Sequence, residues 1–280
     1  MTKSQIDSNI KLLSSQADKL RDQGVYFQAI ELFKKLLPLY KKKKNDFGIG
    51  RSLLQIGLCH RLANQNKEAL DAFKETIEFS KKIGDLDRQG YTFREIGTVY
   101  LNDDKFIQAK KWFEKSVKIF ENSDDVSNYG MSLARLGLTQ MHLKNYSQAE
   151  KLMLRGLGLI KKAQHWFFEV TTDYFLGKFY FFQKKYQKSI QYLEDAENIL
   201  NNHKQTYVQT RRYGQIWGLL AYDHLKLGNS DLAKEYYLDA LECLFSMPDN
   251  VAAPIYKTIK TADFFDELIK NCKKIKNKLS

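Results

Sequence analysis

The chain has 280 residues, 43% of them hydrophobic, so it can bury a core of one or two domains; its only prolines are Pro38, Pro248 and Pro254, so long helices are permitted almost throughout. No run approaches the roughly 18 apolar residues of a membrane span, the N-terminus lacks the marks of a signal peptide, and Cys59, Cys243 and Cys272 are odd in number and far apart. That spacing argues against a disulfide framework or a zinc site and fits a reducing, cytoplasmic setting, while the net charge of +12 leaves nucleic acid, an anionic membrane and a merely soluble lysine-rich surface all open.

In chain order, Ile6, Ile10, Leu13, Ala17 and Leu20 form the first helical stripe. Asp22-Gln23-Gly24 breaks it, and a second stripe carries Ala29, Phe33 and Leu36. From there the chain repeats itself. Gly57, Gly97, Gly137 and Gly177 follow at 40-residue steps, with Ala17 one step earlier. Ala69, Ala109, Ala149 and Ser189 lie 12 residues after them, Phe73, Phe113, Met153 and Leu193 lie 16 after, and Thr76, Ser116, Gly156 and Ala196 lie 19 after. After a four-residue insertion the pattern returns as Ala221, Ala233, Tyr237 and Ala240.

Each copy reads as two helices. In the third, Phe93, Ile96, Gly97 and Tyr100 share one face, Asn102 to Lys105 interrupt, and Phe106, Ala109, Phe113, Val117 and Phe120 share another. Asn64-Gln65-Asn66, Lys144-Asn145 and Leu227-Gly228-Asn229 mark the equivalent breaks. The expected repeats are approximately 10–49, 50–89, 90–129, 130–169, 170–213 and 214–247 of a single solenoid over 1–280. Residues 250–280 are expected to supply a C-terminal capping helix and basic tail. The glycines are expected to let the two helices of a hairpin approach, each facing the small residue 12 positions later with the large residue one turn further on filling the space beside them, since glycine inside a helix otherwise costs about 1 kcal/mol.

The succession small, small at +12, aromatic at +16, small at +19 resembles the tetratricopeptide repeat, over roughly residues 10 to 247. The resemblance implies an all-α, right-handed superhelical solenoid of about six helix hairpins. The usual repeat has about 34 residues, and the extra length here is expected in the second helix and the link that follows. A further glycine, at positions 50, 90, 130 and 214, is expected to open the first helices. These features are similar to the long-repeat branch of the family, which includes eukaryotic polarity adaptors and bacterial peptide-sensing regulators.

No HExxH, GxSxG or GxxxxGK[ST] motif occurs, and Gly48-Ile49-Gly50 and Gly156-Leu157-Gly158 do not follow strands. No catalytic residue, metal or cofactor is expected. Asp103-Asp104 and Asp124-Asp125 fall at a turn and just before a helix, where Asp serves the backbone. By the resemblance, the first helices line a concave groove for a protein or peptide bearing acidic and apolar groups. The residues so implicated are Arg51, Arg61, Tyr91, Arg94, Asn102, Met131, Tyr174, Lys178, Phe181 and Tyr222. Leu54, Leu58, Arg94 and Thr98 stand where the family's chaperone-tail clamp needs Lys and Asn, and Gln55, Glu95, Arg135 and Phe175 stand where the polarity adaptors carry asparagines. Neither partner class is therefore expected. Lys41, Lys42, Lys43, Lys44, Lys81, Lys82, Lys161 and Lys162 end second helices, where cations offset the helix dipole. They also form a candidate basic ridge. The functional expectation is a non-catalytic, cytoplasmic protein-binding scaffold. The alternatives are a peptide-sensing module acting on a separate effector, and a basic scaffold touching nucleic acid or anionic membrane.

Overall fold

The computed structural model describes residues 3–203 and 207–245. Among them are twelve α-helices and no strand, so the chain is an all-α repeat solenoid. The helices are α1 (Lys3–Asp22), α2 (Tyr26–Lys42), α3 (Asp46–Leu62), α4 (Asn66–Ile83), α5 (Leu86–Asn102) and α6 (Phe106–Phe120), then α7 (Val126–His142), α8 (Tyr146–Lys162), α9 (Trp166–Phe182), α10 (Tyr186–Asn201), α11 (Tyr207–Lys226) and α12 (Ser230–Phe245). The expected capping helix over 250–280 lies outside the described residues. The chain divides after Phe179 into two compact units.

One turn geometry recurs in both units. Gly24, Asn64, Asp104, Lys144, Lys184 and Gly228 all have positive φ, between 57° and 84°. Around each, the next N–H donates back across the turn, as Gln65 does to the His60 carbonyl at 2.9 Å and Lys185 to that of Tyr180 at 2.9 Å. With the Asn64 N–H donating to the Arg61 carbonyl at 3.1 Å, this is a Schellman motif, which satisfies the last carbonyls of the first helix and reverses the chain in three residues.

The first helices open about four residues ahead of the glycines expected to start them. Asn45, Asp85 and Asp125 are their N-caps, and each side chain accepts from the backbone N–H three residues on, at 2.9 Å. Gly50, Gly90 and Gly130 therefore lie in the second turn. In the first unit α3, α5 and α7 have 17 residues each, and the link from Ile83 to Leu86 is two residues long. The added length of the repeat thus goes to the first helix as well, while the links vary, from two residues between Ile83 and Leu86 to five between Phe120 and Val126.

The glycines of the first helices meet the large residues expected beside them. A Cβ on Gly57 would lie 2.5 Å from the Phe73 ring, and one on Gly97 would lie 2.8 Å from the Phe113 ring. The space opened by glycine is filled by the large residue at +16, and at Gly137 the small residue at +12 is met as well, a Cβ there lying 2.9 Å from the Ala149 carbonyl oxygen. Phe33, Phe73, Phe113 and Met153 are completely buried as a result. At α7 and α8 the contact is closer still, with Gly130 and Gly156 backbone against backbone.

In the first unit α2, α4 and α6 each pack on the first helices before and after them, and α8 packs on α7. Successive first helices also meet, α3 on α5 and α5 on α7, more closely than successive second helices do. Unequal spacing of the two rows curves this stack and puts the first helices on its inner side. In the second unit α10 packs on α11, and α11 on α12 around Tyr237, Leu220 and Ala240.

Candidate functional site

The inner face of the first unit is laced by side chains that reach from one first helix to the next. Arg21 of α1 donates to Gln55 of α3 at 2.5 Å, and Arg51 of α3 donates back to Asp18 at 2.6 Å. Arg61 of α3 pairs with Glu95 of α5 at 3.0 Å. Arg94 of α5 donates to Asn128 of α7 at 2.6 Å, and Asn128 donates in turn to Asp125 at 2.6 Å. Three of these links span 34 residues: Arg21 to Gln55, Arg61 to Glu95 and Arg94 to Asn128. A position late or midway in one first helix therefore meets a position midway or early in the next.

Arg94 is the most enclosed of these cations, with 3% of its surface exposed. A buried guanidinium is costly unless its donors are met. Here Asn128 accepts from it, and the rings of Tyr91 and Phe168 lie 4.6 and 5.3 Å from its centre. Burial opposes ionisation of Asp125, yet hydrogen bonds from Asn128 and Ser127 and the Arg94 charge outweigh it and hold that carboxyl below its usual range. Burial, followed by the neighbouring Glu95 charge, raises the Tyr91 phenol.

Towards α9 the face turns apolar. The place of Arg21 and Arg61 is taken by Leu101 and then Met141, and opposite them stand Arg135 and Phe175. Arg135 is half-buried with its guanidinium 5.1 Å from the Phe175 ring. His142 stacks on Phe106 at 4.7 Å, and burial together with the Lys178 charge pushes it down to about 4.

The residues picked out from the sequence fall into four groups. Arg51, Arg61, Tyr91 and Lys178 are half-buried on the first helices of the first unit. Arg94, Met131 and Tyr174 are buried, the last two at 3% and 7% exposure. Asn102 is exposed at the C-terminal end of α5, beside the hairpin turn. In the second unit Phe181 and Tyr222 pack edge to face at 4.9 Å. The rung partners Asp18, Gln55, Glu95 and Asn128, and the ring of Phe168, were not among the candidates. Their only sequence signal is the 34-residue spacing, which has meaning once the stacking of first helices is known.

The candidate ridge is uneven. Lys41, Lys42, Lys44, Lys81, Lys82, Lys161 and Lys162 are exposed. Lys43 pairs with Asp7, and Lys161 with Glu169 at 3.6 Å. Between the second and fourth hairpins the same place holds Glu121 and Asn122, because α6 ends early at Phe120.

A family model described as Tetratricopeptide repeat matches residues 10–82, and a second with the same description matches 174–201 and 214–242. No curated protein matches the chain. Among solved structures it is similar to BtubC from P. vanneervenii, with 13% identity over 80% of this chain and 89% of that one and a TM-score of 0.61. It is similar to the apo form of RapI, with 16% identity over 84% and 83% and a TM-score of 0.65. It also resembles a signal transduction ATPase with a tetratricopeptide repeat sensor from Pyrococcus horikoshii, with 18% identity and a TM-score of 0.59; 98% of this chain corresponds to 44% of that protein. At such identities these likenesses speak for fold. No described helix is long and apolar enough to cross a membrane. The chain thus carries tetratricopeptide repeats over residues 10–82, 174–201 and 214–242, within a solenoid of repeated helix hairpins.

Proposed function

We propose that the chain is a non-catalytic, cytoplasmic scaffold that holds a peptide or protein segment along the first helices of its first unit. The observation that carries this reading is the half-exposed row of Leu54, Tyr91, Arg135 and Lys178 on helices already locked together by their own polar rungs. Aromatic and Arg side chains are those that dominate interface centres. A floor fixed before binding lowers the ordering cost of association. A peptide with acidic and apolar residues fits this row.

A peptide-display selection against the folded chain tests the proposal. The selected peptides are expected to lose at least about tenfold in affinity against a Tyr91→Ser/Arg135→Ser variant, and to keep it against Glu75→Ser on exposed α4. Equal binding to all three proteins, or a selection that returns no peptide, contradicts the reading. A second reading, a sensing module acting on a separate effector, takes its support from the likeness to the Pyrococcus horikoshii protein, which is described as having a repeat sensor.

A further inference from the structure

We propose that one edge of the first three hairpins docks on an anionic lipid surface, through Phe47 and Leu86 set among the lysines that end α2 and α4. Because each second helix runs antiparallel to its neighbours, its C-terminal end shares an edge with the N-terminal ends of the first helices. Lys41, Lys42 and Lys44 therefore stand beside the first turn of α3, and Lys81 and Lys82 beside that of α5. Phe47 is 69% exposed and Leu86 is 62% exposed. They belong to one patch, since the Arg88 guanidinium, two residues from Leu86, lies 5.2 Å from the Phe47 ring.

Neither side chain serves the core. Helix-dipole compensation accounts for lysines at helix ends, but it gives no reason for a phenylalanine and a leucine in water beside them. A nucleic acid would account for the lysines and leave Leu86 unexplained. Exposed apolar groups ringed by lysine are what an interfacial site requires. The rings and methyls enter the boundary between headgroups and chains, and the ammonium groups stay with the phosphates. Five exposed lysines face three exposed acids here, Asp7, Asp46 and Asp87, of which Asp7 is taken up by Lys43, so the patch complements an anionic leaflet. The patch ends at the third hairpin, where Glu121 and Asp124 occupy the corresponding place. With no described helix able to span a bilayer, the attachment is peripheral. It is independent of the inner face.

Co-sedimentation with vesicles tests it. The full chain is expected to pellet with vesicles of equimolar phosphatidylcholine and phosphatidylserine and to stay in solution with phosphatidylcholine alone. Lys41→Glu/Lys42→Glu/Lys81→Glu should lower the partition coefficient about a hundredfold, from a factor of roughly five per lysine. Phe47→Ser/Leu86→Ser should lower it about tenfold with its salt dependence unchanged. All these positions are exposed, and circular dichroism verifies that each variant is folded. A chain that ignores both vesicles, or binds both equally, overturns the proposal. So does pelleting that survives loss of Phe47 and Leu86, which would mark the lysines as a site for a polyanion such as nucleic acid.

Discussion

Asp223 of α11 occupies a phase where other copies, allowing for the four-residue insertion, place Cys59, Val99, Thr139 and Phe179. It is completely buried. Burial raises its carboxyl to about 7, against a hydrogen bond with Ser189 that works the other way. The folded second unit thus keeps a proton that the unfolded chain releases near 3.8. Between those values the folded state binds more protons, so stability falls as pH rises and the penalty is complete above pH 7 or so. Asp223→Asn should therefore leave stability unchanged near pH 3, raise it near pH 8 by up to about 4 kcal/mol, and flatten the dependence between. Denaturant unfolding followed on Trp217, with Trp112→Phe and Trp166→Phe, checks this in the second unit. A slope that persists in the variant would place the titrating group elsewhere. The same scale separates what the sequence disclosed from what it concealed. The alternation of small and aromatic residues announced the core, whereas nothing local to Arg94 announces that Asn128 and Phe168 enclose it.

Among the elements, the fourth hairpin has the tightest approach. A Cβ on Gly156 would lie 2.5 Å from the Gly130 carbonyl oxygen and 3.1 Å from the Ala134 nitrogen, both backbone atoms that a rotamer change cannot move. Gly158, two residues on in the same helix, has nothing within 4 Å. Gly156→Ala is expected to destabilise by about 1–3 kcal/mol through forced separation of α7 and α8. Gly158→Ala should stabilise by roughly 0.5–1 kcal/mol through helix propensity alone. Thermal unfolding of the pair checks this, and equal effects of the two would contradict the close approach. The helices themselves were legible from their apolar faces. Their beginnings were not, because the cap residues Asn45 and Asp85 look like ordinary loop residues until the helix they start is known.

For the whole molecule, the 40-residue period was enough to establish an all-α repeat solenoid, since each hairpin leaves an apolar side that only a further hairpin covers. The period assigns residues to first or second helices but does not distinguish those that bind a partner from those that bind the next repeat. Arg51, Arg61 and Arg94 have the residue types expected of a binding face, yet each is joined to a neighbouring helix or to its own. Arg135, Leu54 and Phe168, which the sequence ranked no higher than their neighbours, remain open to solvent in part. The inner row of first helices is the proposed partner-binding surface. Photo-crosslinking of a display-selected peptide carrying a benzophenone, with the attachment sites read by mass spectrometry, tests this most directly. Attachment in α3, α5 and α7, around Leu54, Tyr91 and Arg135, is the predicted result. Attachment confined to the exposed residues of α2, α4 and α6 would contradict it.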